Sequence, residues 1–301
     1  MADTAVFLDG TFVPRAEARI SAFDAGVQHG VGLFETMTGV NLGGGPRVVG
    51  LREHLDRLAE SARELRLSER LEIQALGDAC LATVERSGLE RCRLRLTLTG
   101  GDLNLLETSG RSQHRPTISI VAQPATAYPA EMFERGVLAS FADARANPLN
   151  RFESHKTLNY WWRLRELQDA AAKGAGEAIV LQVSNHVAGG CVSSVIAIHG
   201  DRAMTPIVRG EEPTGGVPSP VLPGVTRAFC LGWLEEMGLE VSRQMLTAGD
   251  LLDADEVLLT NSSWGVLPVT RIESRTIGGG EPGEAARALR ERWDRLVVAD
   301  D

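Results

Sequence analysis

The 301-residue sequence lacks features that mark whole classes of protein. No apolar run reaches the roughly 20 residues that a membrane-spanning helix needs. The N-terminal segment MADTAVFLDG carries an acid where a signal peptide carries positive charge. Basic residues number 31 against 40 acidic ones, and the net charge of −9 argues against a nucleic-acid partner. We therefore expect a cytoplasmic protein that binds neither a membrane nor a nucleic acid.

Cysteine is also scarce, with single residues at Cys80, Cys92, Cys191 and Cys230. None of them belongs to a C-x-x-C pair, and no histidine cluster has the spacing of metal ligands. Scattered cysteines of this kind are usually reduced and buried as small hydrophobic side chains. We expect no structural metal and no disulfide.

Lysine is the scarcest of the basic residues, since only Lys156 and Lys173 stand among the 31 lysines and arginines. An arginine side chain stays protonated, whereas a lysine can deprotonate, and only a free amine attacks an aldehyde. Lys156, in the segment SHKTLNYWW, is therefore a candidate nucleophile. The alternative is a surface lysine that a composition bias towards arginine has spared.

Strand and helix signals alternate in both halves of the chain, which predicts an α/β (α+β) fold. Helical patterns lie at 51–66, 69–88, 157–173, 226–237 and 284–298. Residues 6–14 are predicted to form two strands joined by an Asp-Gly turn, and further strand patterns lie at 93–99, 117–123, 137–142, 178–183, 194–199 and 256–260. A proline-containing segment without periodicity separates the halves. We expect an N-terminal α/β domain over 1–124, a linker over 125–132, and a C-terminal α/β domain over 133–301 that carries Lys156.

Three other segments could bind a phosphate group. GVTR, residues 224–227, places Thr226 at the start of a predicted helix, where backbone N–H groups and a hydroxyl can meet an anion. LLTNSSWGVLPV, residues 258–269, puts hydroxyls such as that of Ser262 at the end of a predicted strand. The guanidinium of Arg57 could hold a phosphate with two hydrogen bonds. The alternatives are an ordinary threonine N-cap, a turn, and a solvated helix arginine.

The order of these motifs resembles that of the class IV aminotransferases, the fold type IV pyridoxal-phosphate enzymes. That family includes branched-chain and D-amino-acid aminotransferases and aminodeoxychorismate lyases. The resemblance runs almost from end to end of the chain. Its anchors are QHGVGLFETM (28–37), REHLDRLAESA (52–62), HKTLNYW (155–161), LPGVTR (222–227) and ADEVLLTNSSWGVLPV (254–269). It implies two domains of the D-amino-acid-aminotransferase-like fold, and a homodimer.

The resemblance also implies a role for each matching residue. Lys156 takes the place of the lysine that forms a Schiff base with pyridoxal 5'-phosphate. The cofactor-binding positions are Arg57, Val225, Thr226 and Ser262 at the phosphate, Tyr160 at the ring hydroxyl and position 189 at the ring nitrogen. Phe34 and Ser263 correspond to residues that line the substrate pocket.

Three positions depart from the family pattern. The family motif V-x-E-x-x-x-S-N reads VAGGCVSS here, so Gly189 replaces the acid that keeps the ring nitrogen protonated, and Ser194 replaces the asparagine. Without that acid the ring is a weaker electron sink. Thr99 stands where members acting on D-amino acids carry an arginine that captures the substrate carboxylate. This argues against a D-amino-acid specialist of that type.

The resemblance favours an aminotransferase that moves the amino group of a small amino acid to a 2-keto acid. One alternative is an aminodeoxychorismate lyase, which releases 4-aminobenzoate and pyruvate. A second alternative, motivated by Gly189, is a non-catalytic protein that still binds pyridoxal phosphate.

Overall fold

The computed structural model describes residues 5–102 and 115–298, and it divides into two compact units. The first unit comprises the described residues within Met1–Thr126, Lys156–Asn159 and Val297–Asp301; the second comprises Ala127–His155 and Tyr160–Leu296. Lys156 therefore groups with the first unit, whereas the sequence analysis assigns it to the second domain. The domain boundaries at 124 and 133 stay a prediction.

The first unit is built around an antiparallel sheet covered by helices. In chain order its elements are β1 (Ala5–Leu8), β2 (Thr11–Pro14), α1 (Ala25–His29), β3 (Gly32–Asn41), β4 (Pro46–Val48), α2 (Leu51–Glu64), α3 (Ile73–Ser87), β5 (Arg91–Thr99) and β6 (Ile118–Pro124). The described strands form a six-stranded sheet in the order β2-β1-β6-β5-β3-β4, with every neighbouring pair antiparallel.

The core of the first unit lies between this sheet and the helices α2 and α3. Alternate residues of β5 face it, so Leu94, Leu96 and Leu98 are buried while Arg95 and Thr97 between them are not. Leu55 and Leu58 of α2 meet them from the helix side. The strand predicted at 93–99 and the amphipathic helix predicted at 51–66 are both confirmed, the helix ending at Glu64.

The second unit holds a larger mixed sheet. Its elements are α4 (Glu131–Glu134), β7 (Val137–Ala146), α5 (Trp161–Ala172), β8 (Glu177–Gln182), β9 (Val187–Gly190), β10 (Ser194–His199), β11 (Arg202–Pro206), α6 (Val225–Glu236), β12 (Glu240–Gln244), α7 (Ala248–Leu252), β13 (Glu256–Asn261), β14 (Gly265–Ile272), β15 (Arg275–Thr276) and α8 (Glu284–Val298). The strand order is β12-β11-β10-β13-β14-β7-β8-β9, with β15 beside β14.

This sheet contains both parallel and antiparallel pairs. β12 with β11, β14 with β7 and β7 with β8 are parallel, and the other named pairs are antiparallel. Apolar clusters cover both faces, so that central strands such as β8 are buried along their whole length. Within the described residues, no helix is long and apolar enough to cross a membrane.

One predicted helix is wrong in its first turn. The periodicity of 157–173 predicts a helix throughout, but α5 begins only at Trp161. Thr157 instead forms an isolated antiparallel bridge with Leu33 of β3. Backbone pairing with a strand therefore overrides the helical pattern in residues 157–160, a tertiary effect that local spacing does not report.

All four cysteines are buried. Burial raises the pKa of Cys80 to about 12 and that of Cys92 to about 11, and it also raises those of Cys191 and Cys230. Because the thiolate is the reactive form, these side chains act as small hydrophobic groups and not as nucleophiles.

Candidate active site

Lys156 lies in a short extended segment that is hydrogen-bonded to the first residues of β3. The N–H of Phe34 donates to the carbonyl of Lys156 at 2.9 Å, and the N–H of Leu158 donates to the carbonyl of Gly32 at 2.9 Å. The two bonds tie the main chain from the carbonyl of Lys156 to the N–H of Leu158 against β3. They therefore fix the point from which the lysine side chain projects, which helps to position a catalytic amine.

The Lys156 side chain is half-buried and lies against an aromatic ring. Its Nζ atom is 4.5 Å from the centroid of the Phe34 ring, and the guanidinium carbon of Arg95 is 3.6 Å from the same centroid. Phe34 is itself buried, 4% exposed. The alternative of a solvated surface lysine is therefore wrong, and the predicted pocket residue Phe34 contacts Lys156.

Arg57 is buried in α2 and forms a polar cluster with Glu35 and His54. Its Nε donates to Oε1 of Glu35 at 2.9 Å, and its Nη2 donates to Oε2 at 2.5 Å. Nδ1 of His54 lies 2.8 Å from Oε2 of Glu35. With 7% of Arg57 exposed, a solvated helix arginine is excluded. The two-pronged contact fixes the plane of the guanidinium.

The charges of this cluster follow from its burial. Desolvation alone would raise the pKa of Glu35, but Arg57 and His54 together lower that pKa to about 2. The pKa of His54 is lowered, because burial together with the positive charges of Arg57 and Lys156 exceeds the opposite effect of Glu35, which raises it. His54 is therefore neutral at pH 7, and a proton on Nδ1 donates to the ionised Glu35.

We predict that Glu35→Gln destabilises the first unit, because it leaves the buried guanidinium of Arg57 without its anion. The expected cost is about 3–5 kcal/mol at neutral pH, measured by urea unfolding. The folded pKa of Glu35, about 2, lies below its ordinary value of 4.5, so its contribution is complete above pH 4.5 and is lost as the pH falls towards 2.

The wild-type protein should therefore lose stability as the pH falls from 4.5 towards 2 and Glu35 becomes protonated, and Glu35→Gln should lack this loss. Glu53→Gln, which removes an exposed carboxylate from the same helix, is the matched control and should change the stability by no more than about 0.5 kcal/mol. An unfolding free energy of Glu35→Gln equal to that of the wild type at pH 7 would contradict the assigned cluster.

The residues of the second unit that are predicted to bind the phosphate lie at or beside the start of α6. Gly224 is the N-cap, no side chain caps the first turn, and Thr226 is buried at the second helical position. The alternative that Thr226 is an ordinary N-cap is therefore wrong. Its Oγ1 lies 3.5 Å from Oγ of Ser262, at the end of β13. Val225, the first helical residue, is 8% exposed. The hydroxyls of Thr226 and Ser262 therefore lie beside the first-turn amides of α6, at the positive end of the helix dipole.

A close approach explains the glycine at the cap. A Cβ atom on Gly224 would collide with Oγ of Ser194, the residue that departs from the family asparagine. The shorter serine side chain therefore packs directly against the backbone that opens α6.

Tyr160 and Ser263 are positioned by neighbouring turns. The hydroxyl of Tyr160 donates to the carbonyl of Cys191 at 3.1 Å, in the turn between β9 and β10. The N–H of Ser263 donates to Oδ1 of Asn261 at 2.8 Å, in the turn after β13. Both side chains are half-buried.

Gly189 is buried in β9 with a φ of +148°, a backbone conformation that residues with a Cβ rarely adopt. A Cβ atom built there would lie 3.0 Å from the carbonyl oxygen of Ser193. The position that the family pattern gives to an acid therefore has neither a carboxylate nor a backbone suited to one.

The predicted site residues are divided between the two units. Phe34, Arg57 and Lys156 belong to the first unit, and the other predicted residues belong to the second. The sequence analysis missed Glu35, His54 and Arg95, which contact these residues. A signal for Glu35 existed, since it is an acid within the apolar strand sequence GLFETM.

Each unit holds groups of a kind that pyridoxal phosphate requires. In the first unit an amine lies beside a buried ring, and an amine is what an aldehyde condenses with. In the second unit hydroxyls meet at an uncapped helix N-terminus, which is suited to a phosphate. At Gly189 the chain lacks the carboxylate of the family pattern, and at Ser194 it lacks the asparagine.

Comparisons with known proteins agree with this geometry. The sequence model of the family described as Amino-transferase class IV matches residues 32–272. A protein of Methanocaldococcus jannaschii, provisionally named a branched-chain-amino-acid aminotransferase, is 30% identical over 291 residues, covering 96% of this chain and 94% of the relative.

Two solved structures extend the comparison to the fold. The branched-chain amino acid aminotransferase of Escherichia coli is 26% identical with a TM-score of 0.87, covering 99% of this chain and 95% of that one. The 4-amino-4-deoxychorismate lyase of Pseudomonas aeruginosa is 27% identical with a TM-score of 0.78, covering 95% and 97%. The predicted fold type IV architecture is thereby confirmed. The chain belongs to the class IV aminotransferases and is an aminotransferase whose cofactor is pyridoxal phosphate.

Proposed function

We propose that this aminotransferase moves the amino group of a small aliphatic amino acid, of the branched-chain type, to a 2-keto acid, and that Lys156 is the residue that holds the cofactor. Similarity over almost the whole chain to proteins named branched-chain aminotransferases supports the substrate. The observation that carries the role of Lys156 is its fixed, half-buried position, with Nζ 4.5 Å from the ring centroid of Phe34.

Pyridoxal phosphate, when bound, supplies an aldehyde that condenses with amines and a ring that accepts the electrons of the substrate Cα–H bond. With the cofactor held at Lys156, the role of this residue would be to hold and move a proton. Its free amine, Nζ, would act as a general base on the Cα proton of the substrate. The backbone hydrogen bonds to β3 hold the main chain from which the Lys156 side chain projects.

The other proposed roles concern positioning. Arg57, with its plane fixed by Glu35, and Thr226 with Ser262 bind the phosphate, aided by the first-turn amide of Val225. Tyr160 orients the ring hydroxyl. Phe34 and Ser263 line the substrate pocket, which an apolar ring suits for an aliphatic side chain. Positioning of this kind can supply several kcal/mol towards lowering the barrier.

Two alternatives have support. Similarity to the 4-amino-4-deoxychorismate lyase and the HKTLNY segment favour a lyase as second candidate. The missing acid at Gly189 favours a protein that binds the cofactor with little turnover. A transaminase requires a keto-acid acceptor, a lyase requires none, and a non-catalytic binder responds to neither.

The deciding experiment uses the purified protein loaded with pyridoxal phosphate. L-leucine, L-valine, L-isoleucine, L-alanine and D-alanine are added singly, first without and then with 2-oxoglutarate. We expect the visible absorption band to change with the branched-chain donors alone, and multiple turnovers only with the keto acid. Release of 4-aminobenzoate from aminodeoxychorismate without an acceptor would instead favour the lyase, and no response to any donor would favour the non-catalytic alternative.

The protein is also proposed to act in the cytoplasm as a homodimer. Four of the exposed large apolar side chains of the second unit lie within residues 149–164: Leu149 is exposed by 83%, Phe152 by 52%, Trp161 by 82% and Leu164 by 48%. Trp161 and Leu164 share a face of α5. The ion pair Glu153–Arg163, 3.3 Å, joins the preceding loop to this helix. Such a cluster is typical of a surface that a second copy covers.

We expect Leu149→Glu to convert the dimer into a monomer, because it introduces a charge into an apolar contact. Light scattering after size-exclusion chromatography measures the mass directly. Val217→Glu, at a site 61% exposed outside this cluster, is the control and should stay dimeric. A Leu149→Glu variant with the mass of the wild-type dimer would refute this surface.

A further inference from the structure

The carboxylate of Glu177 is 0% exposed at the start of β8 and accepts four hydrogen bonds. Oε1 accepts from the N–H groups of Ala178 at 2.9 Å and Cys191 at 3.2 Å. Oε2 accepts from the N–H of Val192 at 3.2 Å and from the hydroxyl of Ser193 at 2.9 Å. Three of these donors belong to the turn that joins β9 to β10, so one buried group holds the whole turn.

This turn leaves no space between itself and the carboxylate. A Cβ atom on Gly190 would lie 2.8 Å from Oε2 of Glu177 and would also collide with Oγ of Ser193. The glycine thus permits the close approach that places three donors around one side chain.

The carbonyl groups of the same turn face two other segments. The carbonyl of Cys191 accepts from the hydroxyl of Tyr160 at 3.1 Å. The carbonyl of Val192 accepts from Nδ2 of Asn261 at 3.1 Å. The amides of the turn are therefore bound to Glu177, while its carbonyls hold a tyrosine and an asparagine.

Asn261 links the 191–193 turn to the turn that holds Ser262, whose hydroxyl lies near that of Thr226. Its Oδ1 accepts from the N–H groups of Ser263 at 2.8 Å and Trp264 at 3.0 Å, which shapes the turn that presents Ser262. Oγ of Ser262 lies 3.5 Å from Oγ1 of Thr226. A continuous set of contacts in the second unit thus leads from Glu177 both to Tyr160 and to the Thr226–Ser262 pair.

We propose that Glu177 is a positioning residue of the cofactor site, which fixes the 191–193 turn and through it sets the places of Tyr160 and Ser262. The inference rests on the proposed function for the roles of those two residues. Glu177 itself touches no cofactor, since its four hydrogen bonds use both oxygens and no part of it is exposed.

The negative charge of the Glu177 carboxylate matters to these hydrogen bonds as much as the shape of the side chain does. Three of the four partners are backbone N–H groups, which can only donate. The pKa of Glu177 is raised, because the effect of burial exceeds that of the four hydrogen bonds, which lower it. Only the ionised form accepts all four of these bonds. A glutamine would turn an NH2 group towards at least one N–H donor and leave it unsatisfied.

The test compares Glu177→Gln and Ser193→Ala with Glu256→Gln. Glu256 is the matched control, because its carboxylate also accepts two backbone N–H bonds in the second unit, from Ala285 at 3.0 Å and Ala286 at 2.9 Å. Those donors open α8, away from the 191–193 turn. For each variant the dissociation constant of pyridoxal phosphate, the pH dependence of its visible band and the thermal unfolding midpoint are measured.

We expect Glu177→Gln to weaken cofactor binding about tenfold or more, the equivalent of one hydrogen bond to a charged group. The pH midpoint of the visible band should shift, because the hydroxyl of Tyr160 has moved. Ser193→Ala should also weaken cofactor binding and shift the pH midpoint of the visible band in the same direction, each by a smaller amount. Glu256→Gln should lower the unfolding midpoint only.

Wild-type binding and an unchanged band in Ser193→Ala, with the same result for Glu177→Gln if that variant folds, would overturn the inference. An equal loss of binding in Glu256→Gln would overturn it too, since general destabilisation would then explain the effect. A wild-type protein without a visible band would instead remove the proposed function, and this inference with it.

Discussion

Replacing Lys156 with arginine should abolish transamination, with a fall in rate of roughly 10³-fold or more. An arginine keeps the positive charge and the contact with the Phe34 ring, but it cannot deprotonate, so it neither attacks the aldehyde nor removes a proton. The loss therefore reports the chemistry of the amine and not the electrostatics of the site. The rate is measured with branched-chain donors and 2-oxoglutarate, alongside the visible spectrum.

The chain offers a matched control for this variant in its only other lysine. Lys173 is exposed at the end of α5, and Lys173→Arg should keep wild-type turnover and spectrum. Full activity in Lys156→Arg, or an equal loss in both variants, would contradict the role given to Lys156.

Restoring the family acid at position 189 should harm the protein and not improve it. The φ of +148° at Gly189 is unfavourable for any residue with a Cβ, and the carbonyl oxygen of Ser193 would lie 3.0 Å from that atom. Gly189→Ala should lose about 1–3 kcal/mol of stability from backbone strain. Gly189→Glu should lose more, because it also buries a carboxylate, and its transamination rate should not exceed that of the wild type.

A second glycine separates position-specific strain from the general effect of a glycine-to-alanine change. Gly232 lies within α6 with no neighbour close to its missing Cβ, so Gly232→Ala should stabilise the protein by about 0.5–1 kcal/mol. Faster transamination in Gly189→Glu with wild-type stability would show that the backbone accepts the acid, and would refute this account of the departure.

The sequence predicts elements whose signal is local. The helix over 51–66 and the strand over 93–99 depend on side-chain spacing alone, and both are confirmed. The five ordered motifs predict the family, which the match over residues 32–272 confirms. In contrast, the first turn of the helix predicted at 157–173 is wrong, since pairing with β3 is a contact between segments about 120 residues apart.

The contacts that support the site residues also join residues that are far apart in the sequence. Glu35 and Arg57 are 22 residues apart, and nothing in either local sequence indicates that one carboxylate fixes the plane of the guanidinium. Glu177 and Val192 are 15 residues apart and meet only because β8 and β9 pair. Gly189 is visible in the sequence as a missing acid, but its positive φ is known only from the folded backbone.

The most direct test of the central claim is to reduce the protein loaded with pyridoxal phosphate with borohydride, digest it and map the peptides by mass spectrometry. The account predicts a phosphopyridoxyl group attached to Lys156 in the peptide that contains HKTLNYW, and none on Lys173. A cofactor found on Lys173, or a protein that keeps no covalently attached cofactor after reduction, would contradict it.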